Sequence, residues 1–199
     1  MKSLLVSVLW PAWEWINHPA LRWSFASYGG QLSIRDSVKC RRLIESPLYQ
    51  AFWGDRYSLT SDQNTKGRFD NDKSGYRIAT SVAGAATGEG GDRIICDDPN
   101  NVNEVESDGV RKGANDWYDV VMSTRVNDPK TTGKVVVMQR CHERDLSGHL
   151  LEQGGWEHLR LPAEYEGSKH VTGIGWSDPR KEHGELLWPS SSRARKWTP

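Results

Sequence analysis

Net charge is the first thing this chain lacks: 26 Lys and Arg residues face 26 Asp and Glu residues over 199 positions. A balanced chain has no global attraction to nucleic acid, so any such contact must come from a local patch such as Arg35, Lys39, Arg41 and Arg42. Cysteine is scarce as well. Cys40, Cys96 and Cys141 are odd in number and far apart, which argues against a disulfide framework and points to free thiols in a reducing, cytoplasmic compartment. Long apolar runs are missing, since no stretch approaches the ~20 residues of a membrane span. The opening MKSLLVSVLWPAW has a single Lys before its apolar run, is interrupted at Pro11 and has no small-residue cleavage site, unlike a signal peptide. No internal repeat is visible. What remains, at 36% hydrophobic content, suits one domain-sized core with a tail.

Periodicity supplies the elements. Residues 4–15 carry apolar side chains at helical spacing, and residues 22–28 form a short aromatic, β-prone run that ends at Gly29 and Gly30. A helix follows over residues 32–45 and is closed by Pro47. Residues 67–82 alternate on either side of a turn at 72–75, which predicts a hairpin. After the glycine-rich residues 84–91 come a strand at Ile94 to Cys96 and a helical segment over 102–122. Residues 134–140, KVVVMQR, read as a strand buried on both faces of a parallel sheet. A helix in DLSGHLL and a strand over 156–162 complete an α/β alternation. From residue 167 the apolar pattern fades into Gly, Pro, Ser and charge, as in a linker and disordered tail. The ten tryptophans, Trp10, Trp13, Trp15 and Trp23 among them, read as large core fillers.

The stretch DRIICDDPNNV holds the informative chemistry. An acid directly after a parallel strand lies in the crevice at the carboxyl end of the sheet, where ligands bind. Two adjacent anions, Asp97 and Asp98, are tolerable there if a divalent cation lies between them and a phosphate. The same letters also arise where Asp caps a helix after a strand. At the other end of the chain, Lys2 and Ser3 match the close of a phosphate-binding loop, in which Lys meets the phosphates and the hydroxyl meets Mg²⁺. Cys141, His142 and His149 make a poor metal site without a fourth ligand. Asp145, Ser147 and His149 lack the turn that a hydrolase nucleophile needs.

Six stretches in one order resemble the ATPase domain of the large terminase subunit of tailed bacteriophages, the motor that packages DNA into procapsids. They are MKSLLVSVLWPAWEW, FASYGGQLSIRDSVKCRRLIES, DQNTKGRF, GYRIATSVAGAATGEGGDRIICDDPNN, STRVNDPKTTGKVVVMQRCHERDLSGHLLEQGGWEHLRLPAEYE and GWSDPRKEHGELLWP, spanning residues 1–189. The resemblance implies an α/β, three-layer P-loop NTPase sheet of the additional-strand (ASCE) class over residues 1–166, incomplete at its N-terminus and carrying a β-hairpin insertion, with a linker or frameshifted tail over 167–199. It implies ATP as substrate and Mg²⁺ as cofactor, with Lys2 and Ser3 ending the phosphate loop and Ser3 and Asp97 on the metal. Asp98 stands where many members have the catalytic Glu. Gln139 and Arg140 end the strand that leads to the coupling motif, where they would sense the γ-phosphate, and Arg125 is a candidate arginine finger. For Gln139 a strand-end backbone contact, and for Arg125 an ordinary surface position, are the competing readings.

The implied partners are double-stranded DNA, the terminase small subunit and the portal protein, in a homo-oligomeric ring in the host cytoplasm, with no membrane. The loop glycines before Met1 and the nuclease after the linker fall outside the chain, so the expectation is a fragment with weak ATP binding and little turnover alone. A helicase-like P-loop ATPase and a non-catalytic DNA-binding or assembly module are the competing readings.

Overall fold

The computed structural model describes residues 2–82, 84, 88–167 and 170–189. They group into two compact units, Met1–His149 and Leu150–Pro199.

The chain opens in a continuous helical rod: α1 (Lys2–Leu4), a π-helical turn (Leu5–Leu9) and α2 (Trp10–Glu14). Pro11 explains the wide turn. Its ring nitrogen has no proton to donate to the carbonyl four residues back, which is that of Ser7, and its ring crowds that carbonyl. The Ser7 carbonyl instead accepts a bond of 3.0 Å from Arg77 Nη2, so the group orphaned by proline is satisfied from the sheet. After β1 (Trp23–Ser27), α3 (Gly30–Ile44) buries Ser33, Asp36, Ser37, Cys40 and Ile44, one face at helical spacing. Pro47 closes this helix and also opens the next, α4 (Pro47–Trp53), with Ser46 as cap. Proline suits the first helical position because its missing proton would be unused there, which is why a stop signal concealed a start.

Six strands form one mixed sheet in the order β2-β3-β4-β1-β5-β6. β2 (Leu59–Asn64), β3 (Arg68–Asn71) and β4 (Tyr76–Ser81) are antiparallel neighbours. β1 runs parallel to both β4 and β5 (Arg93–Asp97), and β5 runs parallel to β6 (Gly133–Val137). The expected hairpin is β3–β4. β2 was not anticipated, because its LTSDQN sequence is polar and half exposed.

Alternation along β5 sorts the layers. Arg93, Ile95 and Asp97 face the N-terminal rod: Arg93 Nη2 lies 2.5 Å from Glu14 Oε1, and Asp97 accepts from Ser3 and Ser7. The rod therefore lies antiparallel to β5, staked at both ends, with its amino terminus at the carboxyl end of the sheet. Cys96 faces the other way, beside Tyr118 in the π-helical turn Tyr118–Met122 that extends α5 (Asp108–Trp117). The core on the rod's side gathers Val8, Ala12, Trp15, Trp23, Phe25, Cys40, Ile44, Tyr49, Tyr57, Phe69 and Ile95. Helices thus cover both faces of an α/β sheet.

Several expectations need correction. The run over 134–140 is a strand only as far as Val137, and it is half-buried because β6 has β5 as its one neighbour. The helix over 102–122 begins at Asp108, where Ser107 caps it by accepting from the Val110 N–H; residues 102–106 form turns. Residues 156–162 form no strand, and Leu159 and Leu161 there are exposed. Within 167–199 a bridge pairs Val171 with Ser177, and Leu186 pairs back to Glu164. The remainder of the expected tail, 168–169 and 190–199, lies outside the described residues. Trp15 and Trp23 are core residues, whereas Trp13 is exposed.

Candidate functional site

The site begins at the carboxyl end of β5. Asp97 is 8% exposed, and both its oxygens are taken by hydroxyls from one helix face: Ser3 Oγ donates to Oδ1 at 3.1 Å and Ser7 Oγ to Oδ2 at 2.8 Å. Spacing of i and i+4 puts the two serines on the same side. Burial raises the proton affinity of Asp97, the two hydroxyl bonds lower it, and the neighbouring Asp98 and Asp36 raise it further; the net shift is upward. Burial thus works against the charged carboxylate, and a bound cation would favour that form.

Asp98 follows in the left-handed region at φ 47°, a conformation Asp tolerates better than most residues. The backbone is held from both sides, its N–H donating to Val137 O at 2.8 Å and its carbonyl accepting from Tyr28 N–H at 3.1 Å. That turn brings the side chain to Lys2 Nζ at 3.3 Å, and the Gln139 N–H donates to the same Oδ1, also at 3.3 Å.

Between α3 and the rod lies a small cleft, partly open to solvent, bordered by Ser3, Ser7, Arg35, Asp36, Arg77, Asp97 and Asp98 among others. Arg77 is fully buried over the Phe25 ring, its guanidinium carbon 3.9 Å from the ring centroid, and burial lowers its pKa to about 10. Sequence reading missed Ser7, Asp36 and Arg77. The signals were there: a serine four residues after Ser3, and a charged residue inside an otherwise uncharged strand, YRIATS.

The remaining candidates divide. Lys2, Ser3, Asp97, Asp98 and the Gln139 backbone meet at one place. Arg140 turns to the buried Asp145, with Nε 3.2 Å from Oδ1, and to the carbonyls of His142 and Glu143. Arg125 lies at the opposite end of β5, where its carbonyl accepts from the Gly91 N–H; Gly90 and Gly91 are at that end too. Glu89, given no role from sequence, pairs with Arg68 at 2.8 Å. The basic patch on α3 is largely spent within the fold, Arg35 and Lys39 on Asp36 and Arg41 on Asn64.

Asp145 holds the segment after β6 in place. Its oxygens accept from the N–H groups of Cys141 at 2.9 Å, His142 at 3.3 Å and Gly148 at 3.0 Å at the start of α6 (Leu146–Gln153). Gly148 is obligatory for this packing, since a Cβ there would lie 1.9 Å from the Glu143 carbonyl oxygen. Gly148→Ala is expected to lower stability by about 1–3 kcal/mol through that overlap, read as a lower denaturation midpoint in urea.

Magnesium suits the donors present. An Asp carboxylate and a serine hydroxyl are hard oxygen ligands, and Mg²⁺ is commonly held by one or two carboxylates with phosphate and water completing its shell. Among the described residues no group of three or more His, Cys, Asp or Glu could hold a metal unaided, so an ion here would depend on phosphate oxygens. Among the described residues, too, no helix is long and apolar enough to cross a membrane. No protein-family model matches the chain, and no curated protein is significantly similar to it.

Proposed function

We propose that the cleft binds Mg²⁺·ATP weakly and hydrolyses it slowly in this chain alone, and that the chain is part of a P-loop ATPase of the kind that drives DNA packaging by phage terminases. One observation carries the nucleotide reading: a Lys-Ser pair at the start of a helix meets two adjacent carboxylates at the end of a central parallel strand. Helix amino termini favour anions through their unpaired N–H groups and dipole. In this reading Lys2 turns from Asp98 to the phosphates, while Ser3 and Asp97 hold the metal, which supplies charge neutralisation for the triphosphate. Asp98 orients a water: its oxygen bonds to the γ-phosphorus, the bond to the β–γ bridging oxygen breaks, ADP departs with the electron pair, and a water proton passes through Asp98 to solvent. Double-stranded DNA, the small subunit and the portal as partners rest on the sequence resemblance.

The test is turnover by the purified chain with Mg²⁺ and ATP, with and without double-stranded DNA. Magnesium-dependent phosphate release supports the reading; its absence, together with no nucleotide binding, leaves a non-catalytic module. Asp98 gives a sharper result. Asp98→Asn keeps the left-handed backbone and is expected to lower kcat by about 10²–10⁴-fold while Mg²⁺·ATP affinity holds. Asp98→Ala loses the same activity and adds about 1–2 kcal/mol of backbone strain, visible as a lower melting temperature.

A further inference from the structure

Two arginines border the cleft, the buried Arg77 and the half-exposed Arg35, and neither has a part in the proposed reaction. Arg35 stands in the first turns of α3, borders the cleft with Ser3, Asp97 and Asp98, and has a half-exposed side chain. Among the described residues its guanidinium bonds only to Asp36, in a fork of 2.9 and 2.8 Å. Asp36 is 4% exposed and also pairs with Lys39 at 3.4 Å. Burial opposes its charge, and the Arg35 and Lys39 contacts outweigh that to hold its pKa below the ordinary carboxylate range.

We infer that Arg35 is a catalytic guanidinium of this site: with nucleotide bound, it leaves Asp36 and takes oxygens of the transferring γ-phosphoryl group. The inference rests on the nucleotide reading above. Its geometry favours Arg35 over every other cation near the site. Arg125 is at the far end of β5, Arg140 is committed to Asp145, Lys2 faces the reacting phosphates from the opposite helix, and Arg77 is sealed in the core. An arginine fork matches phosphate oxygens as well as a carboxylate, and half of the Arg35 side chain already faces solvent.

The difficulty is Asp36, since a buried carboxylate stripped of its partner is costly. Arg77 resolves it. Among the described residues its Nε and Nη1 are buried without a hydrogen-bond partner, while Asp36 already acts on its charge. Those donors and Lys39 keep Asp36 compensated when Arg35 departs. The third nitrogen of Arg77, Nη2, is already given to the Ser7 carbonyl, and Phe25 and Cys40 are its other close neighbours.

The experiment compares the whole chain with Arg35→Ala, Arg35→Lys and Asp97→Asn, using calorimetry with Mg²⁺·ADP, with and without aluminium fluoride, alongside Mg²⁺·ATP hydrolysis. Aluminium fluoride mimics the phosphoryl group in transfer and should tighten Mg²⁺·ADP binding by about tenfold or more in the unaltered chain. Arg35→Ala should abolish that gain and lower kcat by roughly 10²–10³-fold, with Mg²⁺·ADP affinity alone within about twofold. Arg35→Lys should recover part of both. If Arg35→Ala retains the fluoride gain and its turnover, the inference fails while the nucleotide reading stands. If the unaltered chain neither binds Mg²⁺·ADP nor turns over ATP, both fall, and Asp97→Asn then changes nothing. An unchanged melting temperature for Arg35→Ala rules out misfolding as the cause.

Discussion

Asp97→Asn will lower Mg²⁺-dependent ATP hydrolysis by about 10³-fold or more and, in the same protein, raise the melting temperature of the nucleotide-free chain. The loss follows from the removal of the carboxylate that accepts from Ser3 and Ser7. The gain follows from linkage. Burial lifts the folded-state pKa of Asp97 above its unfolded value, so between those two values the native state retains a proton that the unfolded chain has shed. Stability therefore falls as pH rises through that window, and the full penalty persists above it. Asparagine carries no such penalty, while its carbonyl oxygen and amide can still engage the two serines. The advantage of Asp97→Asn should show as a higher melting temperature near neutral pH and should fade as pH drops through the ordinary aspartate pKa of about 3.9 and below, where the aspartate becomes protonated in both states. Melting curves of both proteins across pH check this. Equal melting temperatures at neutral pH would mean the carboxylate is not strained.

The largest loss of stability is expected from Trp15→Ala. Trp15 is 0% exposed, its indole N–H donates to Leu21 O at 2.8 Å, and its ring meets Tyr57 and Phe69 edge-on with centroids 5.6 and 5.8 Å away. Truncation removes the transfer energy of the ring and leaves a cavity that the neighbouring aromatics cannot fill, about 3–5 kcal/mol in all. For a chain of this size that lowers the melting temperature by roughly 10 °C or more. Because Trp15 ends the rod that begins with Lys2 and Ser3, Mg²⁺·ATP affinity should weaken as well, which calorimetry on the folded variant would reveal. Trp13→Ala, two residues earlier on the exposed face, should cost under about 1 kcal/mol.

How far the sequence reveals this molecule depends on which physical signal each element carries. Apolar periodicity disclosed the rod, β1, the β3–β4 hairpin and β5, since burial on one or both faces forces a repeat that can be read from the letters. It misjudged β6, because KVVVMQR looks equally apolar in a central strand and in an edge strand; only the strand order distinguishes them. It missed β2, whose polar LTSDQN is held by backbone pairing alone. Within the candidate site, Lys2, Ser3, Asp97 and Asp98 could be singled out as particular residue types at element ends, and the structure brings them together. Arg77 and Asp36 were not, since a buried charge is recognisable only once its surroundings are known. For Arg125 the letters left an arginine finger and an ordinary position both open, and the structure puts it at the amino end of β5, with its carbonyl on the Gly91 N–H.

The wide turn in the rod has a mechanical consequence. A π-helical turn absorbs one more residue than an α-helical turn would, and here it sits between two stakes, Ser3 and Ser7 on Asp97 and Glu14 on Arg93. Were it to tighten to α-helical geometry, the residues before it would twist by roughly 100° and shift by about 1.5 Å along the axis relative to those after it. Lys2 and Ser3 would then swing off the acids while Glu14 stayed in place. Pro11 and the Arg77 bond to the Ser7 carbonyl together hold the wide turn open, so the pitch of this one turn sets where Lys2 and Ser3 stand over the acids.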